Sequence, residues 1–344
     1  MGETQILGRG GRVAGSVVSS LLAAVVLGWV IRDLTVGGPE GLWWHWAGQA
    51  AGYGLRRSAY TTGEDVLLLV LYAVVAVKVM RSASAAVLLA ATGALTVALR
   101  LPATVGLVQA ADGGDLFGGP HPGALATTAG SVLGGLVLIV LAAAGRRPAG
   151  PREAAVPPGR AVAAWAGALL LLGGAVVVAW QVYAGGNLGW ERYAAIFFGT
   201  GHPQSSVLLG APGWQTAALA CLTLAAGVVC LRRGPGARAL GVPAALLLAG
   251  TQALILSAYL QGSVWEQLPL LDTSSQLALV TPPVLCLLGL VVLALLVPRP
   301  APGQPGAYGP GPAPGQHGPY GPGPAPWQAT GPGPYDNPGP YSGR

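Results

Sequence analysis

Eight apolar runs punctuate this chain, and the loops between them repeat in order. The runs cover residues 13–31, 65–80, 85–108, 124–144, 161–183, 214–231, 240–260 and 276–297. About 20 apolar residues cross the hydrocarbon core of a bilayer as a helix. Inside that core every backbone N–H and C=O must bond within its own segment, so uninterrupted runs of this length are predicted to be helices. A β-barrel would need alternating strands of about ten residues, and the sequence has none. Only 9% of residues are charged, against roughly 25% in soluble domains. The predicted fold class is all-α: a polytopic bundle of eight transmembrane helices in two four-helix halves, with a disordered Pro/Gly-rich tail.

The loop order suggests an internal repeat. A long Trp-rich loop, a short basic loop and a short acidic loop follow the first run, and the same three follow the fifth. The third and seventh runs align from Leu88 to Leu95 against Leu247 to Leu254. The fourth and eighth place Thr127 on Thr281, and the first and fifth share a run of valines that ends at Trp29 and Trp180. Expected parts are 1–145, an irregular linker at 146–159, 160–298 and the tail 299–344. Four runs per half make the repeat parallel, about an axis along the membrane normal.

Arg9 and Arg12 precede the first run as a signal peptide's basic residues would. The run exceeds a usual signal core, and no small-residue cleavage site follows Trp29-Val30-Ile31-Arg32, so it is read as a retained span. Basic residues mark the cytoplasmic side. Lys78, Arg81, Arg146, Arg147, Arg232, Arg233 and Arg238 share a side with both termini, whereas Asp33, Asp65, Asp112, Glu191 and Asp272 fall on the other. Both termini are thus expected in the cytoplasm. Lys78 is the only lysine, and Ala, Gly, Val and Pro dominate. That bias points to a GC-rich bacterial genome and to its plasma membrane. No basic patch is interleaved with stacking aromatics, so no nucleic-acid partner is expected.

Small residues allow close helix approach in lipid. Ser16, Ser20, Ala24 and Gly28 form one stripe, Ala126, Gly130 and Gly134 a second, and Ala249, Ala253 and Ser257 a third. They are expected to pack within the bundle, with a homo-oligomer face as the alternative. Cys221, Cys230 and Cys286 lie inside runs and are expected to pack as small apolar groups. The tail repeats Tyr308-Gly309-Pro310-Gly311-Pro312 as Tyr320-Gly321-Pro322-Gly323-Pro324. Such material cannot form a core, and its tyrosines and Trp327 would serve as contacts for a cytoplasmic protein.

Few residues suggest chemistry. Trp43, Trp44, His45 and Trp46 form an aromatic cluster on the outer side, where such rings favour the headgroup level. They are candidates for headgroup or ligand contact. Arg100 lies inside the third run, and an intramembrane charge is a functional suspect by default. It is expected to snorkel outward or to pair with an outer acid such as Asp112, and its sharper role would be a headgroup or anion ligand. Pro102 and Pro282-Pro283 are expected to kink their runs beside Thr127, Thr128 and Thr281. His45, His121 and His202 lack ligand spacing, so no metal is expected. The layout resembles that of heme A synthase, whose heme sits on helix histidines. No run here contains a histidine, so no cofactor is expected. Nucleotide, metalloprotease and hydrolase signatures are missing from the sequence. The chain therefore reads as a non-catalytic interaction or envelope-associated membrane protein. The alternative is a transporter or lipid-handling permease, with Thr92, Thr223, Thr251 and Gln252 lining a site between the halves.

Overall fold

The computed structural model describes residues 5–47, 59–113, 122–148, 157–198, 208, 211–261 and 264–297. The tail, the linker from 149 to 156, His121 and His202 lie outside the described residues. The elements are β1 (Gln5–Leu7), α1 (Arg9–Trp46), α2 (Gly63–Arg81), α3 (Ala85–Gly113), α4 (Pro122–Ala144), β2 (Arg146–Pro148), α5 (Arg160–Leu188), α6 (Trp190–Phe198), α7 (Pro212–Leu231), α8 (Ala237–Gln261) and α9 (Thr273–Leu296). A 3-10 segment, Val264–Leu270, precedes α9. Among the described residues, seven helices are long and apolar enough to cross a membrane. The remaining long helix, α2, is the one that carries Glu64, Asp65, Lys78 and Arg81.

In α1–α4, each helix runs antiparallel to the next. Ser16 of α1 donates to the Ala76 carbonyl of α2 at 2.7 Å, and Tyr72 of α2 bonds Thr96 of α3. Gly93 of α3 abuts Gly135 of α4, where an added Cβ on Gly93 would stand 2.4 Å from the Gly135 oxygen. Trp29 Nε1 of α1 donates to Thr127 Oγ1 of α4 at 2.9 Å, which closes the ring of four.

The second group, α5 with α7, α8 and α9, repeats these contacts. Gly167 of α5 abuts the Gly227 carbonyl of α7, and Gly289 of α9 abuts the backbone of Ala245 and Ala249 in α8. Trp180 Nε1 donates to Thr281 Oγ1 at 3.0 Å. One offset takes Ser16 to Gly167, Ala76 to Gly227 and Trp29 to Trp180. The same offset carries the buried Gly15, Ser19, Leu22 and Val26 of α1 onto the buried Ala166, Leu170, Gly173 and Val177 of α5. Between the groups, Leu254 fills the space over Gly63 and Leu67 the space over Gly250.

Several sequence expectations change. Helix α1 continues past residue 31 and breaks at Gly38, whose φ of 68° and ψ of 167° suit glycine. Pro39 then starts a short helical piece that carries the tryptophans. The stripe Ser20, Ala24 and Gly28 faces outward, because α1 buries Gly15, Ser19, Leu22 and Val26 instead. Gly130 is likewise open, whereas Gly134 meets Leu22 and Ala249 meets Gly289. The linker begins as a strand, not as irregular chain: β2 pairs antiparallel with β1, Leu7 opposite Arg146. Pro102, Pro282 and Pro283 lie inside helices, as the sequence places them.

Candidate functional site

Buried polar groups are costly in an apolar interior unless they find partners. Among the described residues the buried polar or charged side chains are Ser19, Asp33, Thr61, Asp65, Thr92, Thr96, Arg100, Thr128, Ser131 and Thr223. Every one but Thr223 belongs to the first helix group.

Two aspartates organise the end where α1 meets α2. Asp33 Oδ2 accepts from the Tyr60 amide at 2.9 Å, the Thr61 amide at 2.7 Å and the Thr61 hydroxyl at 2.8 Å. Its other oxygen stands 2.6 Å from Arg32 Nη1. The Arg32 guanidinium lies 4.2 Å from the Tyr60 ring centre, and Tyr60 stacks on Trp29 with centres 5.0 Å apart. Asp65 is at the third position of α2. Its Oδ2 accepts from the Thr62 amide at 2.8 Å, completing a capping box.

Asp65 Oδ1 also faces Arg100. Arg100 Nη2 stands 2.6 Å away, and both side chains are 0% exposed. The approach is Coulombic, since neither atom meets hydrogen-bond geometry with a partner among the described residues. Arg100 Nη1 donates to the Leu208 carbonyl, from the segment before α7, at 2.9 Å. Asp65 supplies the pairing with an outer acid, and the guanidinium is buried instead of reaching outward. Hydrocarbon on all sides makes a nearby carboxylate the strongest available counter-charge. A sequence signal for Asp65 existed in Thr62-Gly63-Glu64-Asp65, a cap with a carboxylate three residues on.

One turn at a time along α3 come Arg100, Thr96 and Thr92, a single face at helical spacing. Thr96 Oγ1 bonds Tyr72 at 2.8 Å and the Thr92 carbonyl at 2.8 Å. Thr92 Oγ1, Ser19 Oγ and Arg100 Nε are buried without a hydrogen-bond partner among the described residues. The second group spends its hydroxyls locally: Thr223 bonds the Leu219 and Ala220 carbonyls, and Thr251 the Leu247 and Leu248 carbonyls. Thr127 and Thr281 accept from the two tryptophans, and Thr128 bonds the Leu125 carbonyl.

The aromatic candidates divide. Trp43 is exposed, while Trp44, His45 and Trp46 are half-buried. Trp46 Nε1 donates to Thr61 Oγ1 at 3.2 Å, so it braces the Asp33 network. Burial pushes the His45 imidazole below its usual range, against the opposing pull of Asp33. In the second group, α6 stacks Trp190, Tyr193, Phe197 and Phe198 as a ladder that ends on Trp214. Open grooves mark the surface among the described residues. One, about 280 Å³, is lined by Val25, Gly28, Trp29 and Arg32. Another, about 240 Å³, runs under α6 past Gln181, Tyr193 and Leu224. Among the described residues no group of three His, Cys, Asp or Glu could hold a metal ion. The cysteines are unpaired: Cys221 is exposed and Cys230 buried, as opposite faces of α7 require.

These features define an α-helical membrane protein with a buried ion pair and an aromatic end. No family model, curated protein or solved structure matches the chain.

Proposed function

We propose that this is a non-catalytic integral membrane protein that works by interaction, through its aromatic end and its 299–344 tail, in association with a bacterial envelope. In this reading α2 is the eighth span. Its charges lie near its ends, leaving the 12 uncharged residues 66–77 between them, and Lys78 snorkels to lengthen the span. The two helix groups are halves of a parallel repeat, supported by the paired Trp29–Thr127 and Trp180–Thr281 bonds. Both termini face the cytoplasm, supported by the arginines at the β1–β2 end. Partners are membrane lipid, a cytoplasmic protein on the tail and a second copy through the outward stripe of α1.

The observation that carries this reading is the exposed aromatic end, where Trp43 is 44% and Trp190 60% exposed. A permease with its site between the halves is less favoured, because Leu254 and Leu67 fill that seam. The test is a photoreactive residue placed at Trp43 or Trp190 in native membranes. The reading expects a discrete protein or headgroup adduct at these positions and only acyl-chain adducts at Val77, an exposed apolar position on α2. Indistinguishable labelling at all three would overturn it.

A further inference from the structure

We propose that the core of the first helix group is a binding site for water and small uncharged hydrogen-bonding molecules, reached from the aspartate end past Asp65 and Arg100. Ligand sites in helix bundles are built from side chains of facing helices. Here α1 contributes Ser19, α2 Tyr72 and Asp65, and α3 Thr92, Thr96 and Arg100. The positions that correspond to Ser19, Thr96 and Arg100 in the second group hold Leu170, Ile255 and Tyr259. Leu170 is wholly buried there, whereas Ile255 is exposed. Thr251 and Thr223 stand at the positions of Thr92 and Tyr72, and both bond carbonyls of their own helix, so among the described residues the second group has no buried hydroxyl without a partner.

Three buried atoms point to an occupant. Ser19 Oγ, Thr92 Oγ1 and Arg100 Nε have no hydrogen-bond partner among the described residues. A serine or threonine in a membrane helix commonly bonds the carbonyl one turn back, as Thr96, Thr223 and Thr251 do. Ser19 and Thr92 do not. They lie where the helices converge: Gly15, one turn from Ser19, meets Leu89 of α3, and Gly93, beside Thr92, meets α4. Leaving such groups unsatisfied costs about 1–3 kcal/mol each.

The class of molecule follows from charge. Asp65 and Arg100 neutralise each other at 2.6 Å, so the site has no net charge to attract an ion. Hydroxyls both donate and accept, which suits water, amides and alcohols. The inference stands whether or not the chain moves a solute.

The test uses the full chain in native membranes with Cys221, Cys230 and Cys286 changed to Ala. Ser19→Cys, Thr92→Cys and the near-isosteric Thr96→Cys report on the first core. Leu170→Cys and Thr251→Cys report on the second. The probe is neutral methyl methanethiosulfonate, alongside its anionic sulfonatoethyl analogue. The neutral reagent should label the first set about tenfold faster than the second, since reactivity follows local access. The anion should label neither set. Leu170→Cys shortens a buried side chain, so this control is biased against the proposal. Equal rates in the two sets, or labelling by the anion as fast as by the neutral reagent, would overturn it.

Discussion

Arg100 holds Asp65 and the Leu208 carbonyl with two nitrogens of one guanidinium. One side chain thus joins the start of α2 to the segment that leads into α7. Removing one member of a buried pair leaves a bare charge and costs about 3–5 kcal/mol, whereas replacing both is often neutral. Arg100→Leu alone should therefore lower the melting temperature in detergent sharply. Asp65→Asn with Arg100→Leu should recover much of the loss, because asparagine still accepts from Thr62. A double variant as unstable as Arg100→Leu would refute the pairing.

The two tryptophan bonds should behave alike. Trp29→Phe and Trp180→Phe each remove an N–H that reaches across to α4 or α9. Interhelical hydrogen bonds in membranes average about 0.6 kcal/mol. Each substitution should cost near that amount in a detergent unfolding titration, and Thr127→Val should add nothing to Trp29→Phe. A fully additive Thr127→Val would show that the bond is not what the tryptophan supplies.

Glycines separate tight helix seams from lipid-facing surface. Gly93→Ala places a methyl 2.4 Å from the Gly135 oxygen, whereas Gly28→Ala meets nothing within 4 Å. Overpacking costs about 1–3 kcal/mol, so Gly93→Ala should destabilise clearly. Gly28→Ala should be neutral or slightly stabilising, since alanine is the better helix former. Comparable thermal shifts for the two would contradict the seam.

Asp272 caps α9 with bonds from the Ser274 and Ser275 hydroxyls and amides. Those bonds hold its carboxyl down from 3.8 to about 2. A depressed carboxyl stabilises fully above its ordinary value, and that contribution is lost as pH falls through about 2. Amide exchange at Ser274 and Ser275 should accelerate over that interval. Asp272→Asn, which still caps, should abolish the pH dependence; persistence would assign it elsewhere.

His45 runs in the opposite sense of charge. Burial lowers its imidazole from 6.5, so the folded rim prefers the neutral ring. Stability at this end is fully present above 6.5 and declines as pH falls toward the lowered folded value. Tryptophan emission from the rim should shift red on mild acidification, and His45→Gln should remove the shift. An unchanged profile in His45→Gln would exclude this imidazole as its source.

Much of the helical layout was legible because lipid makes a crude demand: length and apolarity. The sequence set Thr127 beside Thr281 and Trp29 beside Trp180; the bonds Trp29–Thr127 and Trp180–Thr281 were not readable from it. Nor was the orientation of the small-residue stripe. Ser20, Ala24 and Gly28 recur every fourth residue, yet Gly15 and Ser19 lie on the packed face. Apolar residues surround α1 on all sides, so periodicity could not choose between lipid and protein. Asp65 was legible as an outer acid at the margin of an apolar run, but its burial against Arg100 was not, because that contact joins two helices. The hydroxyls of Ser19 and Thr92, without a partner among the described residues, depend on three helices meeting, which no local window contains.

The short ladder between Gln5–Leu7 and Arg146–Pro148 ties the chain's opening residues to the exit of α4. Synthesis is vectorial, so β1 emerges long before its mate. The first helix ring must insert and assemble while its N-terminal clasp is still unfastened. Nascent chains arrested before Arg146 would leave Ile6 and Leu7 open to protease, and those arrested well beyond Pro148 would hide them.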